Sequence, residues 1–446
     1  MKTDLFKPLL TKGDKCSTLR IGTIGMHKDG YFDYTASGLA YEPIEERIRK
    51  VLTTYANTHS KESSMASLTN DYYDDARENL ALQLEVDKAF AVLPSGCGAT
   101  RAIKRLQELL GLYIPPATRK RLALNMNDLT LPVVIVGPYE HHSNEISYRE
   151  AMCETVRIGL DADGLVDLQE LENKLIKHQG REIIGAFCIA SNVSGVITPY
   201  AKISKLLRKY GAIVCFDGAA SSPYMNIECE LYDALVLSPH KLLGGPGSCG
   251  LLVVRRSIID TEVGPTFAGG GTVLYVSRSS HHFDTMVETR EDAGTPGILQ
   301  LIRASLAYQL RNELGFAWIK ENKEHLLQHF VAGLKQIDGC TIYGNQDVDN
   351  IGIVSFNIEG LDPYDLCTEL SNQGIQTRAG CACAGPYGHD LLGYEDDVDF
   401  KHRPGWLRVS IHFTQELSDV TMLLERIKES INVVLEKNRE IAFLDI

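Results

Sequence analysis

Between residues 90 and 254 the chain repeats one pattern: a short apolar run, a turn, then residues with apolar positions at helical spacing. The runs fall at 90–93, 133–136, 183–189, 212–216, 235–237 and 251–254, and helical spacing at 98–110, 167–178 and 200–210. Runs with no polar alternation predict strands buried on both faces, and their alternation with helices predicts a mainly parallel sheet between helical layers. Upstream, 42–56 and 69–86 read as helices separated by the polar loop Asn57-Thr58-His59-Ser60. The first thirty residues read as an arm, and Tyr31-Phe32-Asp33-Tyr34, followed by a turn at Ser37-Gly38, begins the ordered body. From residue 298 the pattern changes to long amphipathic helices (Leu299, Ile302, Leu306, Leu310; Leu326, Phe330, Leu334), strands at 351–358 and 406–413, and helices at 362–373 and 415–437. The breaker cluster Gly294-Thr295-Pro296-Gly297 marks the change. The expected organisation is an arm (1–30), a large α/β domain (31–297) and a smaller α+β C-terminal domain (298–446), with no internal repeat.

Composition narrows the class. A length of 446 residues accommodates two domains, and 44% hydrophobic with 23% charged residues is ordinary for a soluble globular chain. A formal charge of −13 argues against nucleic acid or an acidic membrane as main partner. No apolar run approaches spanning length, and Met1-Lys2-Thr3-Asp4 lacks the apolar core of a secretion signal. Eleven cysteines are scattered, some within apolar strands (Cys188, Cys215), which predicts free thiols in a reducing cytoplasm.

The chemistry gathers at strand ends. Ser238-Pro239-His240-Lys241 follows the run 234–237 and precedes the glycine-rich turn Gly244-Gly245-Pro246-Gly247, which places a hydroxyl, an imidazole and an amine on the rim of a sheet. The preceding strand ends on Asp217. Pyridoxal phosphate needs this pairing, a lysine for its aldehyde and an acid for its ring nitrogen. A surface lysine after a strand is the plainer reading of Lys241 taken alone. Pro94-Ser95-Gly96-Cys97-Gly98-Ala99-Thr100 is a strand-to-helix turn of small residues that can close on a phosphate, although such turns are often only structural. His141, in Glu140-His141-His142, can lie against a flat ring and pass protons, or be a solvated loop histidine. Asn192, before Gly195, can bond the cofactor's phenolic oxygen or serve a turn.

The segment 406–413 alternates strictly, with Leu407, Val409, Ile411 and Phe413 on one face and Arg408, Ser410 and His412 on the other. Arg408 suits the carboxylate of an amino acid, or a structural salt bridge. Gln376-Thr377-Arg378-Ala379-Gly380-Cys381-Ala382-Cys383 is expected to carry two thiols on a flexible loop, with Arg378 favouring a thiolate. Inert thiols, or a metal site with His389, are the other readings. No second cluster completes a tetrahedral set, so no metal is expected.

Together these segments, from about Tyr31 to the C-terminal helix, resemble the class V, fold-type I pyridoxal-phosphate enzymes, in the cysteine desulfurase/selenocysteine lyase branch. The resemblance implies that Lys241 binds the cofactor covalently, that Ser238, His240 and Gly98-Ala99-Thr100 hold its phosphate, and that Asp217 meets the ring nitrogen. His141 would stack on the ring, Asn192 would bond it, and Arg408 would bind substrate carboxylate with Arg378 near by. Thr295, in Ala293-Gly294-Thr295-Pro296, resembles a threonine that reaches the phosphate of a partner subunit, which implies a homodimer. Counting five residues from Arg378 assigns the persulfide to Cys383. The Arg-x-Gly-Cys-x-Cys form also resembles molybdenum-cofactor sulfurases. Two features depart from the family: Ala220 stands where a glutamine is common, and the loop 386–404, with acidic Glu395-Asp396-Asp397, differs in sequence.

The implied reaction is desulfuration of a cysteine-like amino acid, with Lys241 moving the α-proton, His141 assisting, and Cys383 taking the sulfur before it passes to an acceptor protein. A C–S lyase or a class V aminotransferase is the alternative within the family. A non-catalytic binding protein retaining the fold is the alternative outside it. The true substrate, the sulfur acceptor and the choice between Cys381 and Cys383 are left open by the sequence.

Overall fold

A computed structural model describes the chain except residues 1, 11–12, 27, 59, 61, 126–128, 396–402 and 445–446. His59 of the polar loop and Asp396 and Asp397 of the acidic loop therefore lie outside the described residues. A seven-stranded sheet runs, in spatial order, Phe90–Pro94, Leu251–Arg255, Ala234–Leu237, Ile213–Asp217, Ile183–Cys188, Val133–Val136 and Glu154–Arg157. Leu251–Arg255 is antiparallel to both neighbours, and every other pairing is parallel. The apolar runs are strands for the reason their composition suggests, since alternate residues feed two cores. Val133, Ile135, Val214 and Phe216 pack into one, with the helices Glu42–Leu52, Ser64–Gln83 and Ile298–Leu314. Val134, Val136, Cys215 and Val236 pack into the other, with Ala99–Leu109. Burial on both faces leaves no polar side to alternate.

A second sheet, entirely antiparallel, runs Cys340–Ile342, Ile353–Ile358, Trp406–Ser410 and Arg378–Gly380. Leu407, Val409 and Ile411 pack with Val354 and Phe356 into a third core beneath Phe316–Leu334, Pro363–Asn372 and Leu417–Leu444. The alternation expected at 406–413 holds only to Ile411: the strand ends at Ser410 and Phe413 packs in the first core, while Leu407, Val409 and Ile411 meet helices and Arg408 turns towards the larger sheet.

Residues 30–38 join the two sheets. At one end Phe32 donates to the Gln376 carbonyl, Gln376 to that of Gly30, and Ser410 to that of Phe32, each at 2.8 Å. At the other, Gly38 N–H donates to the His240 carbonyl at 2.9 Å. A Cβ on Gly38 would stand 2.0 Å from the Leu242 carbonyl oxygen, so glycine is required for this approach.

Several elements were not anticipated, the following among them. The edge strand Glu154–Arg157 is polar, and Arg378–Gly380 is too short to show a period. The hairpin Val273–Val276/His281–Phe283 exposes Leu274, Tyr275 and Val276 to solvent. No described helix is long and apolar enough to cross a membrane.

Candidate functional site

Strands that run parallel in a sheet present their carboxyl ends along one rim, and ligands bind there. Pro94, Val136, Cys188, Asp217 and Leu237 end five such strands, and the loops leaving them, with the second sheet above, enclose a cavity of about 720 Å³. That volume lies within the usual range for cofactor and substrate pockets.

The floor comes from the large sheet. Asp217 is buried at the end of its strand and its Oδ1 accepts the Ala219 N–H at 2.8 Å. Burial pushes this carboxyl above its ordinary range, against the Ala219 bond and the Lys241 charge. Lys241 lines the cavity from a short 3-10 turn, Pro239–Lys241. Burial pulls its amine down to about 8, partly opposed by Asp217. A lysine with that value is a free base far more often at neutral pH than an ordinary one.

At one end of the floor the helix Ala99–Leu109 begins. Its first N–H, from Ala99, donates to Ser238 Oγ at 2.9 Å, and His240 Nδ1 donates to the Cys97 carbonyl at 3.1 Å. A Cβ on Gly98 would stand 3.0 Å from His240 Cε1 and 3.4 Å from Ser238 Oγ, so only glycine leaves the space open. Thr100 Oγ1 and Ser143 Oγ lie 2.7 Å apart on the same wall. A helix N-terminus, three hydroxyl groups and an imidazole form an anion seat. The seat, the buried amine and the buried acid fit the three ends of pyridoxal phosphate.

His141 caps the helix His142–Arg149, its Nδ1 accepting the Ser143 N–H at 3.1 Å. Burial, aided by the Lys241 charge, lowers the imidazole to about 4. It is therefore neutral at physiological pH, with its proton on Nε2. Beside it Glu140 is buried, accepting from Cys188 N–H at 3.0 Å and from Asn144 Nδ2 at 2.6 Å. Burial raises Glu140 to about 8, so it holds the loop as a neutral acid.

The roof comes from the second sheet. Arg408 is buried, with Nη1 donating to the Asn192 carbonyl at 3.1 Å and Nη2 to Asp33 Oδ1 at 3.2 Å. Its Nε, like Asn192 Oδ1, is buried without a partner among the described residues. Arg378 grips the same carboxylate, Nε and Nη2 donating to Asp33 Oδ2 at 3.0 and 2.8 Å. The salt-bridge reading of Arg408 therefore holds, and the side chain lines the cavity as well. Asp33, which sequence reasoning placed only at the start of the ordered body, links both arginines.

The thiols differ from expectation in being tied down. Ala384 N–H donates to the Cys381 carbonyl at 3.0 Å and closes a turn whose central residues, Ala382 and Cys383, have φ of 51° and 56°. His142 N–H donates to the Cys383 carbonyl at 2.7 Å, Asn192 Nδ2 to the Ala382 carbonyl at 2.6 Å, and Gly385 N–H to His142 Nε2 at 2.9 Å. Asn192 thus spends its amide on the turn. The helix Gly385–Leu392 follows at once. Cys383 is exposed and lines the cavity with Lys241 and Arg408. Cys381 and Cys97 line the cavity as well.

Thr295 does not line the cavity of its own chain; its hydroxyl accepts from Asn57 Nδ2 at 3.1 Å. Ala220 does line it, and leaves space where a glutamine would reach. Among the described residues no cluster of three or more His, Cys, Asp or Glu side chains is arranged to hold a metal ion.

Comparisons with known proteins bear on the chain as a whole. The chain is 27% identical over 412 residues to a probable cysteine desulfurase of Pyrococcus abyssi, covering 90% of this chain and 93% of that one. It is 28% identical over 337 residues to a probable cysteine desulfurase of Halalkalibacterium halodurans, covering 74% and 78%. Among solved structures, an apo cysteine desulfurase from Thermococcus onnurineus superposes with a TM-score of 0.80 at 24% identity, covering 96% of this chain and all (100%) of that one. A cysteine desulfurase from Escherichia coli gives 0.77, also at 24%, over 95% and 100%. The fold is that of these fold-type I enzymes. Residues 30–423 match the family described as aminotransferase class-V, and the chain belongs to that family.

Proposed function

We propose that this chain is a pyridoxal-phosphate-dependent enzyme that removes sulfur from L-cysteine or a close relative, leaving alanine and a persulfide on Cys383. The observation that carries the reading is the exposed Cys383 thiol on the wall of a cavity that a buried lysine and a buried arginine also line. The family and the cysteine desulfurase relatives support it.

When bound, the cofactor supplies an electron sink for the carbon next to the substrate amine. The chain's own groups do the rest. Arg408, buried and lining the cavity, meets the substrate carboxylate and fixes which bond faces Lys241. The Lys241 amine, lowered by burial, takes the α-proton and returns it. His141, neutral and bearing its proton on Nε2, lies beside the reacting atoms as a proton donor. The Cys383 sulfur attacks the substrate sulfur. A sulfur–sulfur bond forms, the carbon–sulfur pair stays with the β-carbon, and protonation there yields alanine.

A homodimer accords with the exposed apolar hairpin around Leu274, Tyr275 and Val276, in the same segment as Thr295, which serves no site in its own chain. Eleven free thiols accord with the cytoplasm, and a sulfur-acceptor protein is one destination open to the persulfide sulfur.

The test is Cys383→Ser. Alanine formation from cysteine should fall by about 100-fold or more while the bound cofactor's absorbance is retained. Unchanged turnover, or pyruvate in place of alanine, would replace this reading with a C–S lyase using Lys241 alone.

A further inference from the structure

Cys381 has no part in the reaction above, yet it shares a turn and a cavity wall with Cys383. Positive φ at both central positions is the pattern of a type I′ turn, which ordinarily takes Asn-Gly. Alanine and cysteine there hold a left-handed backbone that their Cβ atoms disfavour. Such strain persists only where the surroundings enforce it, and three hydrogen bonds from His142, Asn192 and Gly385 do so here. What the strained shape achieves is to keep both thiols on one cavity, close together in space.

The separation suits a bond between them. Residues two apart span at most about 7 Å when fully extended, and less in a turn, while disulfides need Cα atoms roughly 4.4–6.8 Å apart. The two thiols are also placed differently. Cys383 is exposed, whereas Cys381 is half-buried.

We propose that Cys381 is a resolving thiol: it attacks the inner sulfur of a persulfide on Cys383 and expels sulfide. The inference rests on the desulfuration reading given above. The Cys381–Cys383 bond forms, the bond to the outer sulfur breaks with its electron pair, and the Cys381 proton leaves with the sulfide. The oxidising equivalents are those the persulfide already carries, so no external oxidant enters. The product is a disulfide with no nucleophile, and turnover stops until a low-molecular-weight thiol reduces it. Sulfide is then released without an acceptor protein, and the thiol supply of the surroundings governs the rate.

The full-length holoenzyme is mixed anaerobically with one equivalent of L-cysteine and no other thiol, alkylated, and digested for mass spectrometry, with alanine and sulfide measured in parallel. The wild-type peptide should lose the mass of two hydrogens, and sulfide should match alanine. In Cys381→Ser and Cys381→Ala, alanine from the single turnover should be unchanged, the mass of one sulfur should stay on Cys383, and sulfide should fall about tenfold until dithiothreitol is added. Wild-type protein that makes alanine but keeps its persulfide on Cys383, or passes it to Cys97 on the same cavity, overturns the inference and leaves the desulfuration reading standing. No alanine from any form sinks both, and the alanine assay reports that separately.

Discussion

Asp217, Ser238, His240 and Lys241, on the cavity floor, stand within a few residues of strand ends and take their positions from one sheet. Arg378, Arg408 and Cys383, on the roof, hang from another and are fixed by partners far along the chain: Asp33 lies 345 residues from Arg378 and 375 from Arg408. The floor is local in sequence and sits on a sheet buried on both sides. The roof depends on tertiary contacts, and one carboxylate holds two cations. Cofactor binding and substrate handling should therefore be separable by mutation.

The largest effect should come from Asp33→Asn. Removing one partner from a buried ion pair typically costs about 3–5 kcal/mol, because the remaining charge stays buried. The variant should still bind cofactor with unaltered absorbance, while kcat/KM falls on the order of 100-fold and urea unfolding shows reduced stability. Loss of cofactor in this variant would merge roof with floor.

The floor has its own test. Reaction of the Lys241 amine with the cofactor aldehyde requires the unprotonated form, and burial lowers this amine to about 8. Cofactor uptake by the apo-protein should level off above pH 8 and fall about tenfold per pH unit below it. A rate still climbing towards the ordinary lysine value, followed by stopped-flow absorbance, would mean that the floor is wetter than the structure makes it.

The smallest effect should be Ala382→Gly. Glycine relieves the left-handed backbone at one of two strained positions and should stabilise the protein by about 1 kcal/mol in denaturant unfolding. A loss instead would show that the alanine methyl contributes packing that outweighs the backbone cost.

The same division explains what could be read from the chain. The buried strands and the residues that follow them, Asp217, Ser238 and Lys241 among them, were legible because an apolar run and the residue after it are adjacent in sequence. Arg408 was legible because a charge inside an alternating strand stands out. Asp33 carried no such signal, since an acid among aromatic residues looks like any loop acid until Arg378 and Arg408 are placed beside it. The firmness of the thiol turn was equally hidden. Nothing in Cys-Ala-Cys-Ala suggests two left-handed residues, and the bonds that impose them come from His142 and Asn192. Glu140 was quoted only as the residue before two histidines, although an acid opening a loop from a buried strand was the available hint. The hairpin at 273–283 escaped because its apolar residues face solvent, where a pattern of inward and outward positions has no meaning.

The stretch from Gly30 to Gly38 carries one more implication. It is laced into the smaller sheet through Phe32 and Gln376 and pinned to the lysine turn through Gly38 and His240. It acts as a tie-rod between the two halves of the catalytic chamber, with Asp33 mounted partway along it. Any substrate bulky enough to push the halves apart must first draw on that rod, and through it disturb both arginines and the lysine. The amino-terminal segment thereby takes part in deciding how large a guest the chamber admits.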